Sequence, residues 1–538
     1  MLTAACGGGG GGGGGGQGLA TDQTLRFPIV DDVEYLDPGK VSSAVDIAFV
    51  SNVFSGVVKF DNNLKIVPDL VESLPDISSD GKTYTFKLRK NAKFSNGDPV
   101  TSKDVIYSWT RGAAKSQDYG TTFDPVVGGP EVEAGKATSM TGLVAKDDQT
   151  VVATLSQPAG YFISALALPV AGWIVDQKAV QQGGDDAWWQ KPETLIGSGP
   201  YKMTQRTPKA SMDFVPVANW WGGSTGTLTK IHADIGISQS SSVQKFEAGG
   251  YELIGMANNP PDPDSLLRYK NDPTKTKLLH NFAAARTTWL GFNYLDGPFK
   301  GPQGHDGRLA FAKAIDRGQL ADIGCVQRIL CVPATGGWLS KGLKGYLGDN
   351  QDPNAKFDPT EAKTLLKKWD PDGSKVQGLK VSYNTSDVND RIFGNIQSQL
   401  QANLGVKVDL DKSDFPTLLK KRRAKQTIMF RDSWQADYDH PQDWFDNLFN
   451  CQQAAIGKSN NAGYCNPDMD KILTKANTES LDKSVPEYQQ AQKMMVQDVV
   501  GAPLFYSTQP YFTQSYVDGS GHNGFFDYYW SGIRVLKH

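Results

Sequence analysis

The sequence predicts an α/β fold built from more than one compact unit. A chain of 538 residues exceeds the roughly 100–200 residues of a single domain. Residues 358–410 alternate a capped amphipathic helix, a strand, a second helix and a second strand. Strands joined in this way through a helix form a parallel pair with a right-handed crossover. Residues 80–109 also predict a strand followed by a capped helix.

Composition narrows the class of protein. Hydrophobic residues make up 39% and aromatic residues 10% of the chain, as in ordinary globular cores. Fifty-five basic residues against 58 acidic ones give a formal charge of −3, so the basic footprint of a nucleic-acid-binding protein is missing. No apolar run reaches the roughly 18–20 residues of a membrane-spanning helix.

The most informative stretch is 80–109. After an Asp-Gly turn, Tyr84, Phe86 and Leu88 alternate with polar residues, which predicts a half-buried strand. An Asn-Gly pair and a proline then end the extended run. A capping box begins at Thr101, whose hydroxyl we expect to accept a backbone N–H at the start of a helix.

The same stretch resembles the signature of extracellular solute-binding protein family 5, the dipeptide, oligopeptide and nickel receptors of ABC importers. The family pattern is DGxTYTFxLRxxxxFxxGxPxTxxDVxxSW, and this chain reads DGKTYTFKLRKNAKFSNGDPVTSKDVIYSW. The resemblance covers nearly everything after Thr21. Further segments that resemble family motifs are 53–60, 68–73, 197–201, 219–223, 246–254 and 308–317.

The resemblance implies a two-lobed periplasmic-binding-protein-like fold of type II, cluster C, with an extra domain inserted in lobe one. Lobe one is then assembled from three separate segments, which hinged closure would bring against lobe two. The expected boundaries are 1–20 for a signal remnant and tether, 21–57, 195–285 and 505–538 for lobe one, 58–194 for the inserted domain, and 286–504 for lobe two.

Residues 2–6 resemble the end of a bacterial lipoprotein signal, in which small residues precede a Cys that becomes lipidated. This predicts lipidation of Cys6, and the glycine run at 7–16 would form a flexible tether to the membrane. Thr3 stands where the signal usually has Leu, and the basic and apolar regions of a signal peptide are missing. The alternative is a free Cys in a disordered tail.

The other four cysteines form two groups. Their grouping favours two short-loop disulfides, although four cysteines allow three connectivities. A four-cysteine metal site is the competing interpretation, but neither pair has the close spacing of such sites. The expected disulfides are Cys325–Cys331 and Cys451–Cys465.

Catalytic motifs are missing from the sequence. The six histidines form no H-x-H or H-E-x-x-H pair, so no zinc or nickel cluster is indicated. Neither a G-x-S-x-G elbow nor a phosphate loop is present. We expect no enzyme, no cofactor and no resident metal.

Binding is expected in the loop after the short apolar strand at 427–430, because ligands lie off the carboxyl ends of strands in α/β sheets. Its segment 434–438 resembles the W-x-A-D-Y segment of peptide-binding family members. That resemblance implies that Asp437 pairs with the ligand's α-ammonium and that Trp434 lines a side-chain pocket. It also implies backbone hydrogen bonds to the peptide, here at Ala436 and Tyr438. The alternative for the aspartate is a cap on the following turn.

Four further residues complete the predicted site. Arg391 resembles the position of a carboxylate-binding arginine in some dipeptide receptors; a solvated arginine at a helix start is the alternative. Ala44 lies in a segment expected to pair with the ligand backbone. Trp289 and Asn293 lie where the chain is expected to cross between the lobes, and structural packing is their alternative role.

The resemblance therefore implies a monomeric, extracytoplasmic receptor anchored by lipid to the outer face of the bacterial cell membrane. It would bind short peptides and deliver them to an ABC permease and its ATPase subunits. Two alternatives stay open. The same fold can bind a nickel chelate, haem, an opine or an oligosaccharide, or the protein can be a surface receptor for a signalling peptide.

Overall fold

The computed structural model describes residues 18–116, 119–257, 259–519 and 529–538. The predicted lipidation site Cys6 and the glycine run at 7–16 lie outside the described residues.

Helices and strands alternate along most of the described chain. The α-helices in this part are α1 (Ala44–Val53), α2 (Ser102–Lys115), α3 (Gly129–Glu133), α4 (Phe162–Leu166), α5 (Gln177–Gly183), α6 (Gln239–Glu247), α7 (Pro263–Asn271), α8 (His305–Lys313), α9 (Arg317–Gly324), α10 (Pro359–Trp369), α11 (Asp387–Leu404), α12 (Phe415–Arg423), α13 (Gln442–Leu448), α14 (Pro467–Thr478) and α15 (Leu481–Gln497). The strands are β1 (Thr24–Ile29), β2 (Val58–Phe60), β3 (Ile66–Pro68), β4 (Asp76–Ile77), β5 (Thr83–Lys87), β6 (Leu143–Asp147), β7 (Thr150–Thr154), β8 (Tyr201–Thr207), β9 (Ser211–Pro216), β10 (Lys230–Ile235), β11 (Leu253–Ile254), β12 (Leu279–Phe292), β13 (Cys331–Pro333), β14 (Lys380–Asn384), β15 (Asp409–Ser413), β16 (Met429–Gln435), β17 (Gly501–Thr513), β18 (Val517–Asp518) and β19 (Arg534–Val535).

A four-stranded sheet joins distant parts of the chain in the order β1-β10-β9-β8. The first two strands run parallel and the others antiparallel. Its core contains Phe27 of β1, Phe214 of β9 and, from near the carboxyl terminus, Trp530. The Trp530 ring lies 5.2 Å from Phe214 and 6.5 Å from Phe27, measured between centroids. Three segments far apart in sequence therefore bury their aromatic residues together.

The predicted strand and capped helix of 80–109 are β5 and α2. The strand belongs to an antiparallel sheet of order β4-β5-β7-β6. Its buried Phe86 packs edge-on against Trp109 of the helix, with ring centroids 5.3 Å apart. The capping box is present: the Asp104 carboxylate accepts from the Thr101 N–H at 2.8 Å and from the Thr101 hydroxyl at 2.7 Å. The alternation and the cap thus correctly indicated both elements.

A buried ion pair ties the first segment of the chain to α2. The Arg111 guanidinium donates to both carboxylate oxygens of Asp37, at 2.7 and 2.6 Å. The aspartate is fully buried, and the Trp188 indole N–H also donates to it at 3.3 Å. Such a bidentate, hydrogen-bonded pair satisfies charges that would otherwise be costly to bury.

The largest sheet has seven strands, in the order β11-β17-β12-β16-β14-β15 with β13 paired to β17. Strands β14 and β15 are parallel, as the strand–helix–strand pattern predicted, with α11 between them in sequence. β16 is also parallel to β14, and the pairs made by β12 and β17 are antiparallel. The carboxyl ends of β14, β15 and β16 consequently meet at one edge of the sheet.

The last long helix, α15, begins earlier than the capping-box pattern Ser484-Val-Pro-Glu487 predicts. A capping box at Ser484 would begin the helix there, but α15 starts earlier, after the N-cap residue Ser480. Ser484 is instead buried within the helix, and Pro486 follows it inside the helix. A proline usually lies at the start of a helix because it lacks a backbone N–H donor. Pro486 therefore suggested a helix start that the structure does not have.

No helix in the described part of the chain has the length and apolar character that crossing a bilayer requires.

Candidate ligand-binding site

The segment carrying the predicted site begins as a strand and not as a loop. Residues 432–435 belong to β16, where Asp432 and Gln435 lie opposite Trp289 and Arg286 of β12. The pairing continues one residue further, since the Ala436 N–H donates to the Ala285 carbonyl at 2.7 Å. This hydrogen-bonded partner strand keeps the polar residues extended, and the chain turns only after Ala436.

Asp437 lies just beyond this strand, at the edge where the carboxyl ends of the parallel strands meet. Its carboxylate Oδ1 accepts a hydrogen bond from the Tyr119 hydroxyl at 3.2 Å, and its side chain is partly exposed. Its backbone N–H donates to Asp443 Oδ2 at 3.1 Å. The predicted anchor is therefore held on both its backbone and its carboxylate.

Asp443, in the first turn of α13, is the residue that organises the segment. It is fully buried, and its Oδ2 also accepts the indole N–H of Trp434 at 2.9 Å. Burial raises its pKa well above the usual range, and the nearby charge of Asp437 raises it further. One carboxyl group thereby fixes the backbone of Asp437 and the ring of Trp434 together.

The surrounding side chains are largely buried, and burial shifts their pKa values. The Tyr438 hydroxyl donates to Gln442 Oε1, and burial raises the pKa of Tyr438 far above its usual range. Burial lowers the pKa of His440 to about 3, which keeps this imidazole neutral. Tyr161 packs edge-on against it, with ring centroids 6.2 Å apart. Burial also raises the pKa of Asp446 to about 6.

Two arginines, one on β16 and one on β12, lie on the face of this strand pair opposite Trp434. Because facing residues of paired strands share a face, the register places Arg431 and Gln435 on one side together with Arg286. Burial, together with the charges of Arg286 and Arg422, lowers the pKa of Arg431 to about 10. In the described structure, Arg431 Nε and both amide atoms of Gln435 are buried without hydrogen-bond partners. Unsatisfied donors beside two guanidinium groups are suited to an anion.

Two other predicted site residues lie on helices. Arg391 is exposed on α11, and Ala44 is the first residue of α1, capped by Ser43. Their assignment to the site remains a prediction.

Trp289 and Asn293 are occupied by protein contacts. Trp289 is 3% exposed and packs against Trp338, with ring centroids 5.3 Å apart. The Asn293 amide donates to the carbonyls of Lys425 and Thr427 at 2.9 and 3.0 Å. Its burial and these bonds match the structural alternative, and a ligand contact at either residue remains an untested prediction.

The four described cysteines form the two pairs that their grouping favours. Cys325 is bonded to Cys331 and Cys451 to Cys465. No cluster of three or more histidine, cysteine or acidic side chains arranged to hold a metal ion occurs within the described ranges.

Several site residues were missed by sequence reasoning. Arg431 stands two residues before Ser433 and four before Gln435, so a longer strand prediction would have placed all three on one face. Asp443 follows Asp437 by six positions, which carries no motif. Tyr119 and Asp437 are 318 positions apart, so no local signal indicates their contact.

This chain matches one family model and is similar to peptide-binding proteins along most of its length. Residues 65–455 match the family model described as bacterial extracellular solute-binding proteins, family 5 Middle. The periplasmic murein peptide-binding protein MppA of Escherichia coli is 27% identical over 532 residues, covering 97% of this chain and 94% of MppA. The oligopeptide-binding protein OppA of Bacillus subtilis is 26% identical, covering 90% of this chain and 88% of OppA.

Solved structures confirm the predicted fold class. The unliganded open form of the MppA murein tripeptide-binding protein superimposes with a TM-score of 0.82 at 25% identity. The match covers 97% of this chain and 99% of that structure. The chain thus has the two-lobed α/β architecture of this class of binding proteins.

Proposed function

Because this chain belongs to the bacterial extracellular solute-binding proteins of family 5, we propose that it captures short peptides between two lobes for an ABC importer. The receptor works outside the cytoplasm and hands its ligand to a membrane permease. It catalyses no reaction itself, since ATP is hydrolysed by separate subunits. The names of its relatives, a murein peptide-binding and an oligopeptide-binding protein, support this substrate class.

The observation that carries the proposal is the placement of opposite charges along one strand. Asp437 lies two residues beyond the end of β16, and Arg431 lies within that strand. A carboxylate at one end and a guanidinium further along suit a zwitterion that carries an ammonium and a carboxylate group. Charge-assisted hydrogen bonds to both ends would orient such a ligand.

The carboxylate end of the ligand has two candidate partners. Arg431 and Arg286 share a face beside the unpartnered amide of Gln435, and a carboxylate there would both neutralise charge and accept hydrogen bonds. Arg391 is the residue that the family resemblance indicates. The described contacts favour Arg431 and Arg286 over Arg391, because an ion pair with the ligand's carboxylate is stronger where water is excluded.

For the lobes we propose the boundaries expected from the sequence. Lobe one combines 21–57, 195–285 and 505–538, the inserted domain spans 58–194, and lobe two spans 286–504. The shared aromatic core of Phe27, Phe214 and Trp530 supports the assembly of lobe one from three segments. A lipid on Cys6 would hold the monomeric receptor at the outer face of the cell membrane.

The decisive experiment combines native mass spectrometry with calorimetry. Peptides released from the purified protein identify the ligand, and titration then compares each free peptide with its N-acetylated form. Acetylation and Asp437→Asn should each weaken binding at least about 30-fold, equivalent to about 2 kcal/mol, because each removes one partner of an enclosed charge pair. Asp468→Asn, at an exposed aspartate of α14, is the matched control and should bind normally.

Other outcomes would redirect the proposal. A co-purified nickel chelate, haem, opine or oligosaccharide would keep the family and reject peptides as the substrate class. Equal affinity for free and acetylated peptides would keep the substrate class and reject Asp437 as the ammonium anchor. Peptide binding without a neighbouring permease and ATPase in the genome would favour a signalling receptor.

A further inference from the structure

Residues 325–331, the disulfide loop, belong to two hydrophobic cores at once. The two cysteines that close the loop are each 1% exposed and lie in the core of the proposed lobe two. Val326 and Ile329, each 5% exposed, lie instead in a smaller core of the proposed lobe one, formed by α6, α7, β11 and the end of β17. Leu330 packs against both cores. This short loop therefore links the two lobes.

Hydrogen bonds attach the same loop to strands of lobe one. The side-chain amide of Asn281, on β12, donates to the Ile329 carbonyl at 2.7 Å. The hydroxyl of Thr508, on β17, donates to the same carbonyl, and the Thr508 N–H donates to the Leu330 carbonyl at 3.0 Å. The contact between the loop and lobe one is thus both apolar and polar.

These contacts lie where β12 and β17 pass from one proposed lobe to the other. The pairing of the two strands has a register shift between Ala283 and Thr287, and strands bend at such irregularities. On the other edge of β17, β13 pairs with residues 505–507 and β11 with residues 512–513. The disulfide loop bonds to Thr508, between these two short strands, and therefore lies beside the hinge.

The backbone of the loop adopts a conformation that depends on its surroundings. Val326, Gln327 and Arg328 have φ angles of 53°, 53° and 64°. L-residues disfavour this left-handed region, and a β-branched valine does so most strongly. Such a turn persists where other contacts hold it. Here the disulfide closes the turn, and the Arg328 guanidinium donates to the Asp322 carboxylate of α9 at 2.6 and 2.9 Å. Without the disulfide we expect the turn to unwind.

We propose that the disulfide loop is a strap that ties lobe two to lobe one beside the hinge. It restricts the orientations available to the lobes of the ligand-free receptor and keeps the cleft ready for a ligand. The left-handed turn directs Val326 and Ile329 into the core of lobe one, while the disulfide fixes both ends of the turn in the core of lobe two. Because the cysteines are buried, thiols in solution have little access to them, so the strap is a constant restraint and not a redox switch. This inference rests on the proposed function, since it concerns lobes that close over a ligand.

The first test measures the distance between the lobes in the ligand-free protein. Lys202 of β8 and Lys363 of α10 are exposed and belong to the proposed lobes one and two. Spin labels attached at these positions through unnatural amino acids leave the cysteines untouched. Double electron–electron resonance then gives the distribution of distances between the labels, and its width reports how freely the lobes move.

Three variants isolate the strap. Cys325→Ser/Cys331→Ser should make the distance distribution about twofold broader than that of the wild type, because the released lobes sample more orientations. Cys451→Ser/Cys465→Ser is the matched control, since that disulfide joins two residues of lobe two, and the width should not change. Asn281→Ala keeps both disulfides and removes one hydrogen bond between the loop and lobe one, so it should broaden the distribution to a smaller extent.

The second test locates the change. Hydrogen exchange of the ligand-free protein, resolved to single amides, reports the Thr508 N–H that donates to the Leu330 carbonyl. This amide should exchange at least about tenfold faster in Cys325→Ser/Cys331→Ser than in the wild type, because its acceptor moves away when the turn unwinds. An unchanged rate would mean that the loop stays in place without its disulfide, which contradicts the strap.

The third test connects the strap to ligand capture. A ligand binds only those receptors whose lobes are suitably oriented, and the apparent dissociation constant rises as that fraction falls. Peptides should therefore bind Cys325→Ser/Cys331→Ser about threefold to tenfold more weakly than the wild type in calorimetric titrations. Equal or tighter binding would contradict the role of the strap in keeping the cleft ready for a ligand.

The outcomes separate the strap from the proposed function. A wild-type distance distribution in Cys325→Ser/Cys331→Ser overturns the strap and leaves peptide capture intact, and so does equal broadening in the two serine variants. If that serine variant does not fold, Asn281→Ala decides, because a width equal to that of the wild type overturns the strap. Failure of every peptide to bind the wild type overturns the proposed function, while the distances in the ligand-free protein still show whether the loop restrains the lobes.

Discussion

Gly160 lies directly against the carbonyl oxygen of Glu479, in the turn between α14 and α15. A Cβ on this glycine would stand 1.6 Å from that oxygen, and the Gly160 N–H donates to the Asn477 carbonyl at 2.8 Å. The contact joins the segment that carries Tyr119 to the helices that follow the Asp437 segment. Only glycine allows the two backbones to approach this closely.

Gly160→Ala should therefore force these two parts of the molecule apart. We expect a larger radius of gyration by small-angle X-ray scattering and weaker peptide binding, because Tyr119 would be drawn away from Asp437. Gly394→Ala is the matched control, since no heavy atom lies within 4 Å of its added Cβ and alanine favours the helix there by up to about 1 kcal/mol. An unchanged radius and affinity in Gly160→Ala would show that the contact does not position the site.

Replacing the candidate arginines one at a time will locate the carboxylate subsite. Arg431→Gln should weaken binding of peptides with a free carboxyl terminus by about 2 kcal/mol, roughly 30-fold, because a buried charge pair loses one partner. Carboxyl-amidated peptides, measured by calorimetry, should be affected much less. If Arg391→Gln shows this discrimination and Arg431→Gln does not, the carboxylate binds at α11 and not on the sheet.

The stability of the protein should depend on pH through Asp46, a fully buried residue in the first turn of α1. Its Oδ1 accepts the Glu34 N–H at 2.9 Å, and Oδ2 lacks a partner among the described residues. Burial raises its pKa from 3.8 to about 7. The folded state thus holds a proton that the unfolded state has lost, and this contribution to stability disappears as the pH rises through about 7.

Asp46→Asn removes this titration. The free energy of unfolding of the variant relative to wild type should rise by up to about 4 kcal/mol between pH 4 and pH 8, from 1.36 kcal/mol per pKa unit. Urea unfolding at a series of pH values measures the difference. A difference that stays constant with pH would mean that Asp46 titrates alike in both states.

The two disulfides should contribute unequally to stability. The chain-entropy model gives about 3 kcal/mol for the Cys451–Cys465 loop, with a separation of 14 residues, and about 2 kcal/mol for Cys325–Cys331, with a separation of 6. Serine replacement of each pair, followed by thermal unfolding, compares them. A larger loss from the shorter loop would indicate that native-state packing and not loop entropy dominates.

Local patterns in the sequence predicted the elements that depend on local physics. The alternation of Tyr84, Phe86 and Leu88 and the box at Thr101 correctly indicated β5 and α2. The order of strand, helix and strand correctly indicated the parallel pair β14 and β15. In each case the deciding interactions lie within a few residues or one supersecondary unit.

The candidate site was only partly predictable, because its geometry arises from long-range contacts. The family resemblance drew attention to Trp434 and Asp437, yet the residue that joins them, Asp443, belongs to no motif. Cleft contact and structural packing were both predicted for Trp289, and pairing with β16 places its ring in an aromatic cluster, which matches the second role. Which face a strand residue presents depends on its partners, and these become visible only in the folded sheet.

The position of β17 within the largest sheet has a consequence for how the protein is made. This strand, residues Gly501–Thr513, lies between β11 and β12 and also pairs with β13. During synthesis, the sheet lacks an interior strand until nearly the whole chain has left the ribosome, whereas strands β1, β8, β9 and β10 are all complete by Ile235. Pairing across such sequence distances is slow. The largest sheet therefore cannot close before Thr513 has been made, so it is completed later in synthesis than the strands of the four-stranded sheet.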